Sequence, residues 1–319
     1  MKTIGVLTSG GDAPGMNAAV RAVVKTAIAL GMNVKGIKHG YEGLIHNEII
    51  DMDARSVSDI INRGGTVLYT ARCLEFKEEE GILKGVETCK KNGIEGIVVI
   101  GGDGSFRGAR DLSNHGIPCV GIPATIDNDI ASTEYTIGFD TAMNTAMDMI
   151  DKIRDTAQSH SRCSVVEVMG HKAGYMALQI GLAVGAVSIL VPELPYPVEN
   201  VINHIKELKA NGKNHCIVVV AEGVGGSEEL AKLIEKETGL ESRATILGHV
   251  QRGGNPTVRD RVRATQFGNA AVHLLEQGIG NRVVCYKAGK IVDFDIFEAL
   301  KMEKTFDEGM IEVTKETSI

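Results

Sequence analysis

Positive charge is what this sequence is short of. Its 34 lysines and arginines stand against 41 aspartates and glutamates, a net charge of −7. A general role on nucleic acid or on a membrane surface is therefore not expected, and an anionic substrate would need its basic residues placed locally. No apolar run approaches the roughly 20 residues of a membrane span. The first residues pass directly into a strand, so no signal peptide is expected. The six cysteines (Cys73, Cys89, Cys119, Cys163, Cys216 and Cys285) include no CxxC pair. Scattered in this way they read as reduced thiols of a cytosolic protein, not as metal ligands. What remains is globular material. The chain has 319 residues, 43% of them apolar, enough for a large core and two domains.

One stretch organises the rest. Val98-Val99-Ile100 runs into Gly101-Gly102-Asp103-Gly104-Ser105, and a second apolar run ends in Pro123-Ala124-Thr125-Ile126-Asp127-Asn128-Asp129. Each half is a buried strand followed by a turn of small or acidic residues, the place where open α/β sheets bind ligands. In the first turn glycine lets the backbone bend and approach a ligand closely. The helix read from Ser105 to Ser113 would point its first amides at a phosphate. Asp103 would repel that phosphate unless a Mg²⁺ stood between them. A tight turn capped by an aspartate, binding nothing, is the plainer alternative. In the second turn Asp127 and Asp129 share one face if the backbone is extended. One carboxylate can then take a proton from a substrate hydroxyl while the other polarises the metal region. An Asx-rich turn remains the alternative there.

The device recurs along the chain. Thr3 to Leu7 reads as a strand, followed by a Gly-rich turn through Asn17 and a helix to about Ala29, with Gly11 at the closest approach. No GK[ST] follows, so this is not a Walker A loop, and it is not GxGxxG either. Asn33 to Ile37 is the next strand. Tyr41 follows in a Gly-flanked loop, where it suits either base stacking or ordinary packing. Asn62-Arg63-Gly64-Gly65-Thr66 and Arg72 fall in a long loop. Arg72 there could neutralise a transferring phosphoryl group or simply be solvated. Helices are read over Glu78–Asn92, Asp140–Ala157, Val198–Ala210 and Ser227–Thr238, and strands over Ser164–Val168, Ser188–Val191, Cys216–Ala221 and Ser242–Leu247. This alternation argues for α/β with mostly parallel sheets. Strand ends at Glu167–His171, Glu222 and His249–Arg252, with Arg162, Arg243 and Arg252 nearby, suit a sugar phosphate. Each arginine alone reads more readily as an ion-pair residue, and it is several together at strand ends that point to a phosphate site.

Together these residues closely resemble the bacterial 6-phosphofructokinases. The resemblance runs the full length, through Leu7–Asn17, Ile61–Thr66, Gly101–Ser105, Thr125–Asp129, Val165–Gly170 and Leu247–Gly254. It implies transfer of the ATP γ-phosphoryl group to the 1-hydroxyl of fructose 6-phosphate, a glycolytic kinase step in the cytoplasm. The implied fold is two Rossmann-like three-layer domains with the active-site cleft between them. Residues 1–138 plus 251–300 would bind ATP and Mg²⁺, and residues 139–250 plus 301–319 would bind fructose 6-phosphate. Carried over by motif, Asp127 is the general base and Asp103 the Mg²⁺ ligand, with Thr125, Asp129, Arg72 and His171 also at the reacting groups. Gly11, Tyr41, Arg72, Cys73, Gly102, Asp103, Gly104, Ser105 and Gly108 line the ATP site. Thr125, Ile126, Asp127, Met169, Gly170, His171, Glu222, His249, Val250, Gln251 and Arg252 hold the sugar phosphate. Arg162 and Arg243 reach it from a neighbouring subunit of a homotetramer.

The departures from the family pattern are informative. Pyrophosphate-dependent relatives carry Asp where this chain has Gly104 and Lys where it has Ala124, so ATP is the expected donor. His171 replaces a usual Arg near the transferring phosphates and lacks the guanidinium fork. Lys172 is beside it, and Tyr175 replaces a usual Asp. Family members bind ADP or GDP as activator and phosphoenolpyruvate as inhibitor between subunits. Arg21, Ala22, Val23, Val24, Lys25, Asp59, Arg154, Gly185, Lys213 and His215 match that site. Val187, however, replaces a usual Glu, and Ala54, Asn211 and Asn214 stand where bases are common. Each lost charge-assisted contact removes roughly 1.5–3 kcal/mol, so weak or absent regulation is expected.

Overall fold

The computed structural model describes residues 1–195 and 197–318; Tyr196 and Ile319 lie outside the described residues. The chain divides into two compact units. The first comprises 1–126, 130–141 and 252–304; the second comprises 127–129, 142–251 and 305–319.

The first unit holds β1 (Thr3–Ser9), α1 (Met16–Ala29), β2 (Asn33–Ile37), α2 (Gly40–Ile45), β3 (Ile49–Met52), α3 (Glu79–Lys91), β4 (Gly96–Gly101), α4 (Asp103–Asn114) and β5 (Cys119–Pro123). Helix α5 (Phe139–His160) begins in the first unit and continues in the second. The second unit holds β6 (Cys163–Val168), α6 (Tyr175–Ala183), β7 (Ser188–Leu190), α7 (Val198–Ala210), β8 (Cys216–Ala221), α8 (Ser227–Thr238) and β9 (Ser242–Ile246). The chain then returns to the first unit with α9 (Val258–Glu276), β10 (Arg282–Lys287), β11 (Lys290–Asp295) and α10 (Ile296–Ala299), and ends in the second with α11 (Gly309–Thr317).

The first sheet has seven strands in the order β11-β10-β5-β4-β1-β2-β3, and the second has four in the order β7-β8-β6-β9. The fold is thus α/β. The second sheet is parallel throughout, and the first is parallel except where β3 and β11 run antiparallel at its two edges. Strands covered on both faces read as unbroken apolar runs. Every residue of β4 (Gly-Ile-Val-Val-Ile-Gly) and of β8 (Cys-Ile-Val-Val-Val-Ala) is buried. The amphipathic helices bury one stripe; in α3 it is Gly81, Ile82, Gly85, Val86, Thr88 and Cys89. Helix α1 buries a wider face, nine residues among them Ala18, Ala19, Ala22 and Val23. A Cβ at Gly268 of α9 would stand 2.6 Å from the Ala22 Cβ, so that glycine lets α9 pack close to α1.

The structure differs from the sequence reading at several points. Tyr41 lies in the short helix α2, not in a loop. The turn after β5 is not extended. Asn128 has φ 50°, so the alternating pleat that would put Asp127 and Asp129 on one face is broken. Helix α6, the 19-residue α9 and the hairpin β10–β11 are further elements, and the hairpin ends the simple alternation.

Candidate functional site

Strand order brings the glycine- and acid-rich turns together. Strands β1, β4 and β5 are consecutive in the first sheet and parallel, with Ser9 beside Gly101 and Gly101 beside Pro123. Their carboxyl ends therefore release three turns side by side. A Cβ placed on Gly102 would come 4.0 Å from the Thr125 Cβ, and one on Gly10 would come 3.4 Å from Ser105 Oγ.

At the first turn, Gly11 is exposed and its missing side chain matters. A Cβ there would meet Arg252 Nη1 at 2.6 Å. That same nitrogen donates to the Asp12 carbonyl at 3.3 Å. Arg252 thus lies across the turn that the sequence assigned to the nucleotide. At the second turn, α4 begins at Asp103 itself. The carboxylate is about half exposed and takes Arg107 Nη2 at 2.8 Å and Nε at 3.0 Å. Gly104 is exposed, with no atom within 4 Å of where its Cβ would stand. Among the described residues no cluster of three or more His, Cys, Asp or Glu could hold a metal ion. An accessible carboxylate at a helix start, next to open backbone, fits Mg²⁺ shared with a phosphate chain, which needs only one or two protein carboxylates.

Other predicted nucleotide residues are placed differently from one another. Arg72 is exposed and Cys73 half-buried, with burial pushing the Cys73 thiol up. Tyr41 is buried. Its hydroxyl donates to the Ser105 carbonyl at 2.5 Å, and its ring stacks on Phe76 at 4.2 Å. Burial raises its phenol well above the usual range. Gly108 makes room for that ring, since a Cβ there would meet Tyr41 carbons at 2.6–2.7 Å. Of the two readings offered for Tyr41, the structure takes the packed one. It supports the second turn from beneath.

The third turn hangs from a pinned segment. Thr136 Oγ1 donates to the Thr125 carbonyl at 2.7 Å, and Ile137 N donates to the Pro123 carbonyl at 2.9 Å. That segment is held by Asp260, a fully buried carboxylate that the sequence reading passed over. It accepts from Tyr135 hydroxyl (2.5 Å), Gly138 N (2.8 Å), Thr141 N (2.9 Å) and Thr141 hydroxyl (2.5 Å). Burial raises the carboxyl and these donors hold it back. Ile126 is fully buried, so its side chain belongs to the core. Asp127 is 8% exposed, while Asp129 is open to solvent.

In the second unit, β6 and β8 are neighbours with Val168 beside Ala221, so the loop after one meets the residue after the other. Glu222 accepts from Gly170 N (3.2 Å) and His171 N (2.5 Å). Gln251, wholly buried, accepts from Met169 N at 2.9 Å. Glu193 accepts from Gly174 N at 2.8 Å. The loop 169–174 is therefore laced by three side chains from elsewhere, and His171 is presented to solvent with φ 55°. Tyr175 leans on Phe306 at 5.7 Å, and burial, with Glu193 and Asp129 nearby, raises its phenol. His249 and Val250 are exposed in a 3₁₀ turn that ends at Arg252.

Arg162 and Arg243 are elsewhere in this unit. Arg162 precedes β6, and Arg243 sits near the start of the parallel β9. Both bind Glu241, at 2.8 Å and 2.9 Å, and its carboxyl is held low first by Arg162 and then by Arg243. The loop 169–171 leaves the other end of β6, about 17 Å away at roughly 3.3 Å per residue.

The residues matched to an effector site are split in character. Arg21 and Lys25 reach the surface of α1, whereas Ala22, Val23 and Val24 between them are buried and face the core. Asp59, with φ 54°, and Ala54 are exposed in the loop after β3. Arg154 donates to the Val184 carbonyl beside Gly185. Lys213 is half-buried, and His215 is 3.3 Å from Asn214. Val187 is 4% exposed and packs in the core of the second sheet.

A family model described as Phosphofructokinase matches residues 3–275. The chain belongs to the phosphofructokinase family. It is 58% identical over 319 residues, the whole of both chains, to an ATP-dependent 6-phosphofructokinase of Bacillus cereus. Among solved structures it resembles the phosphofructokinase of Saccharomyces cerevisiae (TM-score 0.88, 33% identity, 100% of this chain) and that of Pichia pastoris in its T-state (TM-score 0.87, 34% identity, 99% of this chain). It spans 48% and 37% of those two longer phosphofructokinase chains. Among its described residues no helix is long and apolar enough to cross a membrane.

Proposed function

We propose that this phosphofructokinase transfers the γ-phosphoryl group of ATP to the 1-hydroxyl of fructose 6-phosphate, giving fructose 1,6-bisphosphate and ADP. The observation that carries the reading is the release of the three turns 10–15, 101–105 and 124–129 from adjacent strand ends. The Bacillus relatives named for this reaction, alike along the whole chain, support it.

Phosphoryl transfer needs positioning and positive charge, with a base for the attacking hydroxyl. Gly11, Gly102, Gly104 and Ser105 offer backbone to the ATP phosphates, with Cys73 beside them. Asp103 would hold Mg²⁺, which would supply positive charge to the phosphates when bound. Arg72 and Arg252 supply fixed positive charge that needs no proton. Asp127 takes the proton of the 1-hydroxyl, and Thr125 and Asp129 set that turn. Met169, Gly170, Glu222, His249, Val250 and Gln251 frame the sugar phosphate, and His171 stands where charge develops. The open space at Gly104 supports ATP over pyrophosphate, because an Asp there would crowd and repel the α-phosphate.

Arg162 and Arg243 serve a neighbouring subunit's substrate, in a homotetramer. Their place at the far end of the second sheet from the 169–171 loop of the same chain supports this. Control by ADP and phosphoenolpyruvate is weak, since Val187 is committed to the core and cannot bind a nucleotide's Mg²⁺. The six free thiols fit a cytoplasmic enzyme.

Initial rates with fructose 6-phosphate and Mg²⁺ test the reading, comparing ATP with pyrophosphate as donor. Rapid turnover with ATP alone is expected, and Asp127→Asn should lower kcat by about 10²–10⁴ while both substrates still bind. Activity with pyrophosphate alone overturns the donor assignment. A sigmoidal fructose 6-phosphate curve shifted strongly by either effector overturns the regulatory one.

A further inference from the structure

The first motif ends in Asn17, a residue for which the phosphoryl-transfer reading has no use. It is the second residue of α1 and is 1% exposed. Its Nδ2 donates to the carbonyls of Arg63 and Gly64, both at 3.1 Å, and its Oδ1 accepts from Val67 N at 2.7 Å. A carboxamide has two N–H donors and one carbonyl. Both groups of this one are engaged by the backbone of a single loop, 46 to 50 residues away in sequence.

Two neighbours reinforce the clamp. Thr8 Oγ1 lies 2.9 Å from Thr66 Oγ1 and donates to the Tyr69 carbonyl at 2.7 Å. Thr70 Oγ1 donates to the Gly10 carbonyl at 2.7 Å. The loop is thus tied to β1, to its turn and to the helix that follows. The clamped peptide also has a far side. A Cβ on Gly64 would stand 2.3 Å from the Gly254 carbonyl, so two backbones touch there. Gly254 is two residues beyond Arg252, whose guanidinium lies over Gly11. The same loop goes on to Arg72.

We propose that Asn17 is a positioning residue for phosphoryl transfer. It fixes the loop 61–72 against both the Gly11 turn and the Gly253–Gly254 backbone, and so sets Arg72 and Arg252 at once. The inference rests on the kinase reading given above.

The test uses the full-length enzyme with Asn17→Ala, Asn17→Asp, Arg72→Ala and the Asn17→Ala/Arg72→Ala double variant. Asn17→Asp keeps the acceptor for Val67 N but turns an oxygen towards two carbonyl oxygens, so it should be at least as damaging as alanine. Each Asn17 variant should lower kcat by about 10- to 100-fold, with a smaller effect on either KM. Amide exchange should accelerate in 61–72 and stay unchanged in the second unit. In the Arg72→Ala background the Asn17→Ala loss should shrink, because the group it positions is gone. A normal kcat in the folded variants, wild-type exchange in the loop, or full additivity with Arg72→Ala overturns the inference. Failure of the functional reading shows separately, as an Arg72→Ala enzyme of undiminished activity.

Discussion

The contact of Arg252 with the Gly11 turn bears the sharpest consequence at the scale of single residues. A methyl group at position 11 would stand 2.6 Å from Nη1, too close, and the guanidinium would have to move. Gly11→Ala should therefore lower kcat/KM by about 10²-fold, and the melting temperature should stay within about 2 °C, since Gly11 is exposed. Steady-state kinetics beside a thermal melt check both. The ion pairs of Glu241 give a second test. The two arginines depress its carboxyl, so the pairing is complete above the usual carboxylate range and is lost only as pH falls through the depressed value. Glu241→Gln should then raise the KM for fructose 6-phosphate several-fold across the neutral range, with kcat little changed. At this scale legibility followed chemistry. Gly11, Asp103, Asp127 and Arg252 stood out because several glycine, acid and arginine residues recur together at strand ends, although each alone has an ordinary structural use. Asp260 did not, because it sits in Arg259-Asp260-Arg261, which reads as a solvated run of opposite charges. Only the fold shows that it is buried with four donors around it.

Among the elements, the parallel strands were the most legible and the short or antiparallel ones the least. Strands β2 and β8 and helices α7 and α8 have the bounds expected from their apolar pattern. Helix α6 was missed because it is apolar nearly all round (Met176, Ala177, Leu178, Ile180, Gly181), which leaves no amphipathic stripe to find. The hairpin β10–β11 turns at Ala288 and Gly289, with φ 49° and 80°. Both central residues are left-handed, the pattern of a two-residue turn that favours Asn-Gly. Alanine pays a steric penalty there. Ala288→Asn should stabilise the protein by roughly 0.5–1 kcal/mol, read as a higher denaturant midpoint with activity unchanged. No stabilisation would mean that the turn had relaxed away from that geometry.

For the molecule as a whole, strand direction supports the proposed sharing of the substrate site between subunits. Arg162 just precedes β6 and Arg243 lies at the start of β9, strands whose far ends lead into the loops proposed to hold the sugar phosphate. If they serve a neighbour, two defective subunits can repair each other. Mixing Asp127→Asn with Arg162→Ala protein, each nearly inactive alone, should restore about a quarter of wild-type activity after subunit exchange. No recovery would return Arg162 to its own chain. The sequence alone carried α/β alternation at this scale, and the resemblance carried the rest. The return of the chain to its first unit was not readable from pattern, because no composition change marks Arg252 or Thr305.

That return governs how the protein is made. Strand β10 pairs with β5, and α9 lies against α1. During synthesis the β5 edge, with Val120 and Gly121 waiting for Arg282 and Val283, stays unpaired while the whole second sheet is translated. At ordinary elongation rates of ~5–20 residues per second, that interval is roughly ten to thirty seconds. The sheet encoded in the middle of the message is complete by Ile246, before the one encoded first. Until β10 emerges, the turns after β1, β4 and β5 are carried on a sheet with one open edge. For that interval the exposed row of β5 backbone groups is open to pairing with another chain.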